Sequence, residues 1–81
     1  MKTYLVQTHD VDGRAPARRF KTLAGAVKRF NEMHGSIEFA IAEQFEREGG
    51  PPVPKIEDIT RLRGVSDYGC VVTFWVTESA A

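Results

Sequence analysis

The sequence predicts an α+β fold, with one four-stranded antiparallel sheet and two helices packed on one of its faces, in the order β-β-α-α-β-β. Three observations lead there. The stretch "GCVVTFWV" (69–76) alternates as a strand that is apolar on both sides. "TLAGAVKRFNEMHG" and "SIEFAIAEQFEREGG" repeat apolar residues at three- and four-residue spacing, the period of a helix with one buried stripe. A pair of β-rich segments lies on each side of these helices, and hairpins flanking two consecutive helices close most economically as a two-layer sandwich. Residues 1–81 form a single domain.

Taken in order, "TYLVQTH" (3–9) is rich in β-formers and reads as a strand. Asp12-Gly13 is a tight-turn signal, because glycine accepts the positive φ such turns need. The return strand, 14–20, contains Pro16, which cannot donate to a ladder and belongs at a sheet edge. Thr22 is placed to cap the first helix, whose stripe is Leu23, Ala26, Val27, Phe30 and Met33, and Gly35 to end it. Ser36 caps the second helix, with Ile37, Ala40, Ile41, Gln44 and Phe45 as its buried stripe and Phe39 off that stripe. "GGPPVP" (49–54) breaks the helix and runs extended. "KIEDITRLRG" (55–64) reads as the third strand, and 65–69 returns the chain into the last one. The tail "TESAA" reads as frayed. The last strand belongs at the centre, between the first strand and "ITRLR", with Cys70, Val72, Phe74 and Val76 toward the helices. Val71, Thr73 and Trp75 then face outward. An exposed tryptophan on an open sheet face marks a contact site, unless a loop such as "PPVP" covers it.

Composition excludes several classes. The 11 basic and 11 acidic residues balance, so nothing in net charge demands a polyanion or a membrane. One cysteine makes no internal disulfide, which suits a reducing, cytoplasmic setting. No apolar run approaches the roughly 20 residues of a membrane span, and "MKTYLVQTHD" does not have the pattern of a signal peptide. The charge is nevertheless uneven. Six basic residues and no acids lie between Arg14 and Asn31, whereas seven acids face two basic residues between Glu32 and Asp58.

The chemistry-bearing residues do not assemble a reaction. A calcium loop begun at Asp10 would need oxygen ligands where Arg14 and Lys21 stand. His9, His34 and Cys70 lie too far apart in sequence for a zinc pattern, and no metal or other cofactor is expected. Cys70 on an inward strand position behaves as a small hydrophobe. Gly49-Gly50 precedes prolines rather than opening a helix, so it is no phosphate cradle. Glu43 and Glu46 read as a solvated helical face. The chain is expected not to be an enzyme.

Binding surfaces remain. Arg61 and Arg63 share a face by alternation, and on the open side of the sheet they would flank Trp75 and Tyr4. Arginine beside an aromatic on a sheet is a grip for single-stranded nucleic acid. The glycine-aromatic signature of an RNA-recognition motif is absent, and the acids of the second helix disfavour a helix-turn-helix in a phosphate-lined groove. A second candidate contact surface is the basic run Arg18, Arg19, Lys21, Lys28 and Arg29.

In its size, its lone α+β domain, its lack of catalytic residues and its uneven charge, the chain resembles the small orphan proteins of phages and mobile elements. Among these it is similar to anti-CRISPR inhibitors of multi-subunit surveillance complexes. The resemblance spans the chain in general character and carries no motif, so no functional residue transfers. It implies a cytoplasmic interaction protein that binds a host protein or nucleoprotein complex and sterically blocks nucleic acid loading. The alternative is a nucleic-acid-binding module that uses the open sheet face.

Overall fold

A computed structural model describes residues 1–10, 13–46, 48–66 and 69–78. The strands are β1 (Lys2–Asp10), β2 (Gly13–Arg14), β3 (Arg18–Phe20), β4 (Arg61–Val65) and β5 (Val71–Glu78). The helices α1 (Leu23–His34) and α2 (Ile37–Phe45) stand between β3 and β4. All pairings are antiparallel, and the order across the sheet is β2 and β3, then β1, β5 and β4. The last strand is therefore central and the proline-bearing segment lies at an edge, as its alternation and Pro16 require.

That edge segment forms two short strands rather than one. Gly13 and Arg14 pair with Asp10 and His9, then Arg18 to Phe20 pair with Val6 to Tyr4. Residues 15–17 between them leave the ladder, because Pro16 has no N–H to give. The Ala15 N–H still donates to the Thr8 carbonyl at 3.0 Å, and the Gln7 side chain donates to the Ala15 carbonyl at 3.0 Å. The Asp12 half of the turn expected here lies outside the described residues.

Local chemistry sets the helix ends. The Thr22 hydroxyl accepts from the Gly25 N–H at 3.2 Å, and the Ser36 hydroxyl accepts from the Phe39 N–H at 3.2 Å. Between the helices Gly35 takes φ +109°, open to glycine alone at little cost, and its N–H donates to the Asn31 carbonyl at 2.8 Å. The Asn31 side chain accepts from the buried Ile37 N–H at 2.7 Å and holds the corner. Helix α2 stops at Phe45, short of the expected Gly50. Glu43 and Glu46 crowd the negative end of its dipole, which disfavours further turns.

Helix α1 lies over β1, β3 and β5, and α2 over β4. The core between the layers holds Val6, Ala26, Phe30, Ile37, Ala40, Ile41, Ile59, Leu62, Val72 and Phe74. Tyr4 stacks on Phe74 with ring centroids 6.3 Å apart. One stripe assignment changes: Gln44 is exposed rather than buried. Phe39, off the stripe as expected, is 59 % exposed. The strand expected from Lys55 begins only at Arg61, after a single 3-10 turn at Ile56–Asp58. Ile56 and Ile59 both pack on the core. A three-residue spacing puts side chains on one side of a 3-10 turn but on opposite sides of a strand. At the other end, Thr77 and Glu78 are not a frayed tail but pair with Thr3 and Lys2, while 79–81 lie outside the described residues.

Candidate functional site

The face of the sheet turned away from the helices is built by register. Trp75 stands between Leu5 on β1 and Arg61 on β4, and Arg19 on β3 stands beyond Leu5. One row across the sheet thus reads Arg19, Leu5, Trp75, Arg61. The next reads Gln7, Thr73, Arg63, and the one after it His9, Val71, Val65. Alternation puts Leu62 and Phe74, neighbours of these residues in sequence, at 0 % exposure against the helices, so the rows themselves face out.

A concavity of about 680 Å³ opens on this face. Its lining includes Trp75, Thr73 and Val71 from β5, Arg61 and Arg63 from β4, and Gln7 and His9 from β1. No residue of 49–54 takes part, and Pro51, Pro52 and Val53 are exposed, so that segment does not roof the tryptophan. Trp75 is half-buried by its own sheet neighbours. Leu5 lies beneath them at 9 % exposure and outside the helix-side core.

Among the strand residues whose side chains are described, the charge on this face has one sign: Arg19, Arg61 and Arg63, with no carboxylate beside them. Glu38, Glu43 and Glu46 stand exposed on and just after α2, in the helix layer. A chain with no net charge therefore carries separate basic and acidic surfaces.

The two arginines of β4 are held from behind by Gln44. Its Oε1 accepts from the Arg63 N–H at 2.9 Å, and its Nε2 donates to the Arg61 carbonyl at 3.4 Å. Sequence reasoning missed this role. The signal was a glutamine at a stripe position of an otherwise apolar helix, a polar group that must find partners at the layer boundary.

The sequence-predicted residues divide. Arg61, Arg63 and Trp75 come together as expected, and Arg19 joins them from the basic run. Tyr4 does not: it shares the parity of Val6 and points to the helix side, onto Phe74. The rest of the basic run is not one surface. Arg18 stands opposite Val6 on the helix side and, with Arg29, lines a recess of about 310 Å³ beside Pro16. Arg29 pairs with Glu32 at 3.5 Å, Lys28 is exposed on α1 in the helix layer, and Lys21 is exposed between β3 and α1. Neither histidine is hydrogen-bonded to the Cys70 thiol. Cys70 packs against the core with Sγ 4.0 Å from the Val71 carbonyl, His9 lies on the open face, and the His34 ring engages Ser36 through Nδ1 at 3.1 Å. Among the described residues, no cluster of three or more His, Cys, Asp or Glu forms, and no helix is long and apolar enough to cross a membrane.

Comparison with known proteins finds no matching family model, no matching curated protein and no matching solved structure.

Proposed function

We propose that this chain is a small non-enzymatic interaction protein whose contact surface is the open sheet face and whose partner presents negative charge. The observation that supports this is the convergence of Trp75 with Arg19, Arg61 and Arg63 on one face that carries no acid among the described strand residues. An aromatic with arginine neighbours is the composition of a binding hot spot, and single-sign charge selects an oppositely charged partner. In the inhibitor form of this reading, the partner is a host nucleoprotein complex such as a CRISPR surveillance complex, and the bound chain blocks nucleic acid loading by occupying space.

The test is capture of partners from a host lysate by the immobilised chain. Trp75→Ala and the Arg61→Glu/Arg63→Glu pair should abolish capture while leaving the melting transition cooperative. Lys28→Glu, on α1, should capture normally. Equal capture by all variants would remove the open face as the contact surface.

A further inference from the structure

We infer that the negatively charged partner of the open sheet face is single-stranded nucleic acid, bound across the strands with one base stacked on Trp75. The inference rests on that face being the contact surface. Charge is the first argument. Arg19 and Arg61 bracket the row that holds Trp75, three strand spacings apart, or about 14 Å at ~4.8 Å per spacing. Arg63 lies one row away beside Thr73. Guanidinium groups spread on both sides of an aromatic suit a chain of phosphates with bases between them, because guanidinium binds phosphate through paired hydrogen bonds.

The second argument is the character of the lining. Gln7, His9, Thr60 and Thr73 give the concavity polar donors and acceptors, with Trp75 as its large apolar group. A protein interface of standard size needs a fully buried, mainly apolar centre. Of the exposed large hydrophobics, Phe39 and Val53 do not line this concavity, and Val65 stands on the same face outside its lining, in the row of His9 and Val71. Base edges and a π-face instead match scattered polar groups around one indole. Shape favours a single strand over a duplex. The face is a shallow sheet, and the helix that a groove would have to admit, α2, displays Glu38 and Glu43.

The chain contains one tryptophan, so its fluorescence reports this site directly. Short oligouridine and oligodeoxyuridine, and a duplex of the same length, are titrated into the chain at 50 and 200 mM salt. Both single strands should quench Trp75, and affinity should fall about 20-fold over that salt range if three phosphates are neutralised. Trp75→Phe should keep binding, and Trp75→Ala should lose about tenfold or more, read by anisotropy of labelled strands. Arg61→Glu/Arg63→Glu should abolish binding, and Lys28→Glu should leave it within twofold. A preference between the two oligonucleotides assigns RNA or DNA. Duplex binding as tight as single-strand binding overturns the inference. So does absence of binding at 50 mM salt in a chain that still captures, through Trp75, a host complex stripped with nuclease; that result leaves the contact surface standing and makes its partner an acidic protein. Capture indifferent to Trp75→Ala overturns the contact surface itself.

Discussion

A Cβ added to Gly64 would stand 2.7 Å from Cδ2 and 2.8 Å from Nε2 of His34, and 3.1 Å from the Ala40 methyl. His34 cannot easily retreat. Its ring packs on Phe30 with centroids 5.3 Å apart, and its Nδ1 is bonded to the Ser36 carbonyl. The helix corner therefore rests directly on the backbone of β4. Gly64→Ala should destabilise the chain by on the order of 1–3 kcal/mol through overpacking. Urea melts of Gly64→Ala, His34→Ala and the double variant check the cause: the double variant should be more stable than the sum of the single losses allows. Phe30 and Phe74 are both at 0 % exposure in the same core, and alanine at either should cost on the order of 3–5 kcal/mol. Thermal melting that leaves either variant unchanged would mean the layer contact is misplaced.

Among the elements, β5 has a partner strand on each side, and its residues from Val71 to Val76 should exchange their amides slowest in the molecule. Exchange as fast as that of β3 would contradict its central place. Asn31→Ala should cost about 1–2 kcal/mol, since it strips the buried Ile37 N–H of its acceptor. The elements that sequence made plain were those with a complete local signal. Thr22, Gly35 and Ser36 mark helix ends by caps, and the alternation of 69–76 marks a strand by period. Pro16 identified the edge but not the break, because only the ladder shows how much pairing one missing N–H removes. The Ile56 and Ile59 pair reads as strand in sequence but forms a 3-10 turn, for a related reason. Apolar residues in a short run do not declare their period until something packs on them. The candidate site was half legible in the same way. Arg61, Arg63 and Trp75 follow from alternation alone. Arg19 needs the register of β3 on β1, and Gln44 needs the placement of α2 over β4.

The whole molecule is a slab with Cα extents of 38 × 36 × 17 Å, one sheet thick and one helix layer thick. Helix α2 touches β4 through Gln44, so Glu43 and Glu46 act on Arg61 and Arg63 across a short distance, although the net charge of the chain is zero. Glu43→Lys/Glu46→Lys should therefore raise open-face affinity in the same fluorescence titration. The gain should be larger at 10 mM salt, where the screening length is about 30 Å, than at 150 mM, where it is about 8 Å.

The Gln44 amide has a consequence for the behaviour of many copies in solution. It occupies the Arg63 N–H and the Arg61 carbonyl, groups that an outermost strand would otherwise offer to a strand from another molecule. On the far side of the sheet, Pro16 interrupts the other lip. The chain thus closes both routes by which a sheet recruits further chains edge to edge. Gln44→Leu keeps the side-chain volume but returns those two groups to the solvent. Light scattering at rising concentration should show it pairing into dimers through β4, and no further because Pro16 still interrupts the other edge, under conditions where the parent stays dispersed.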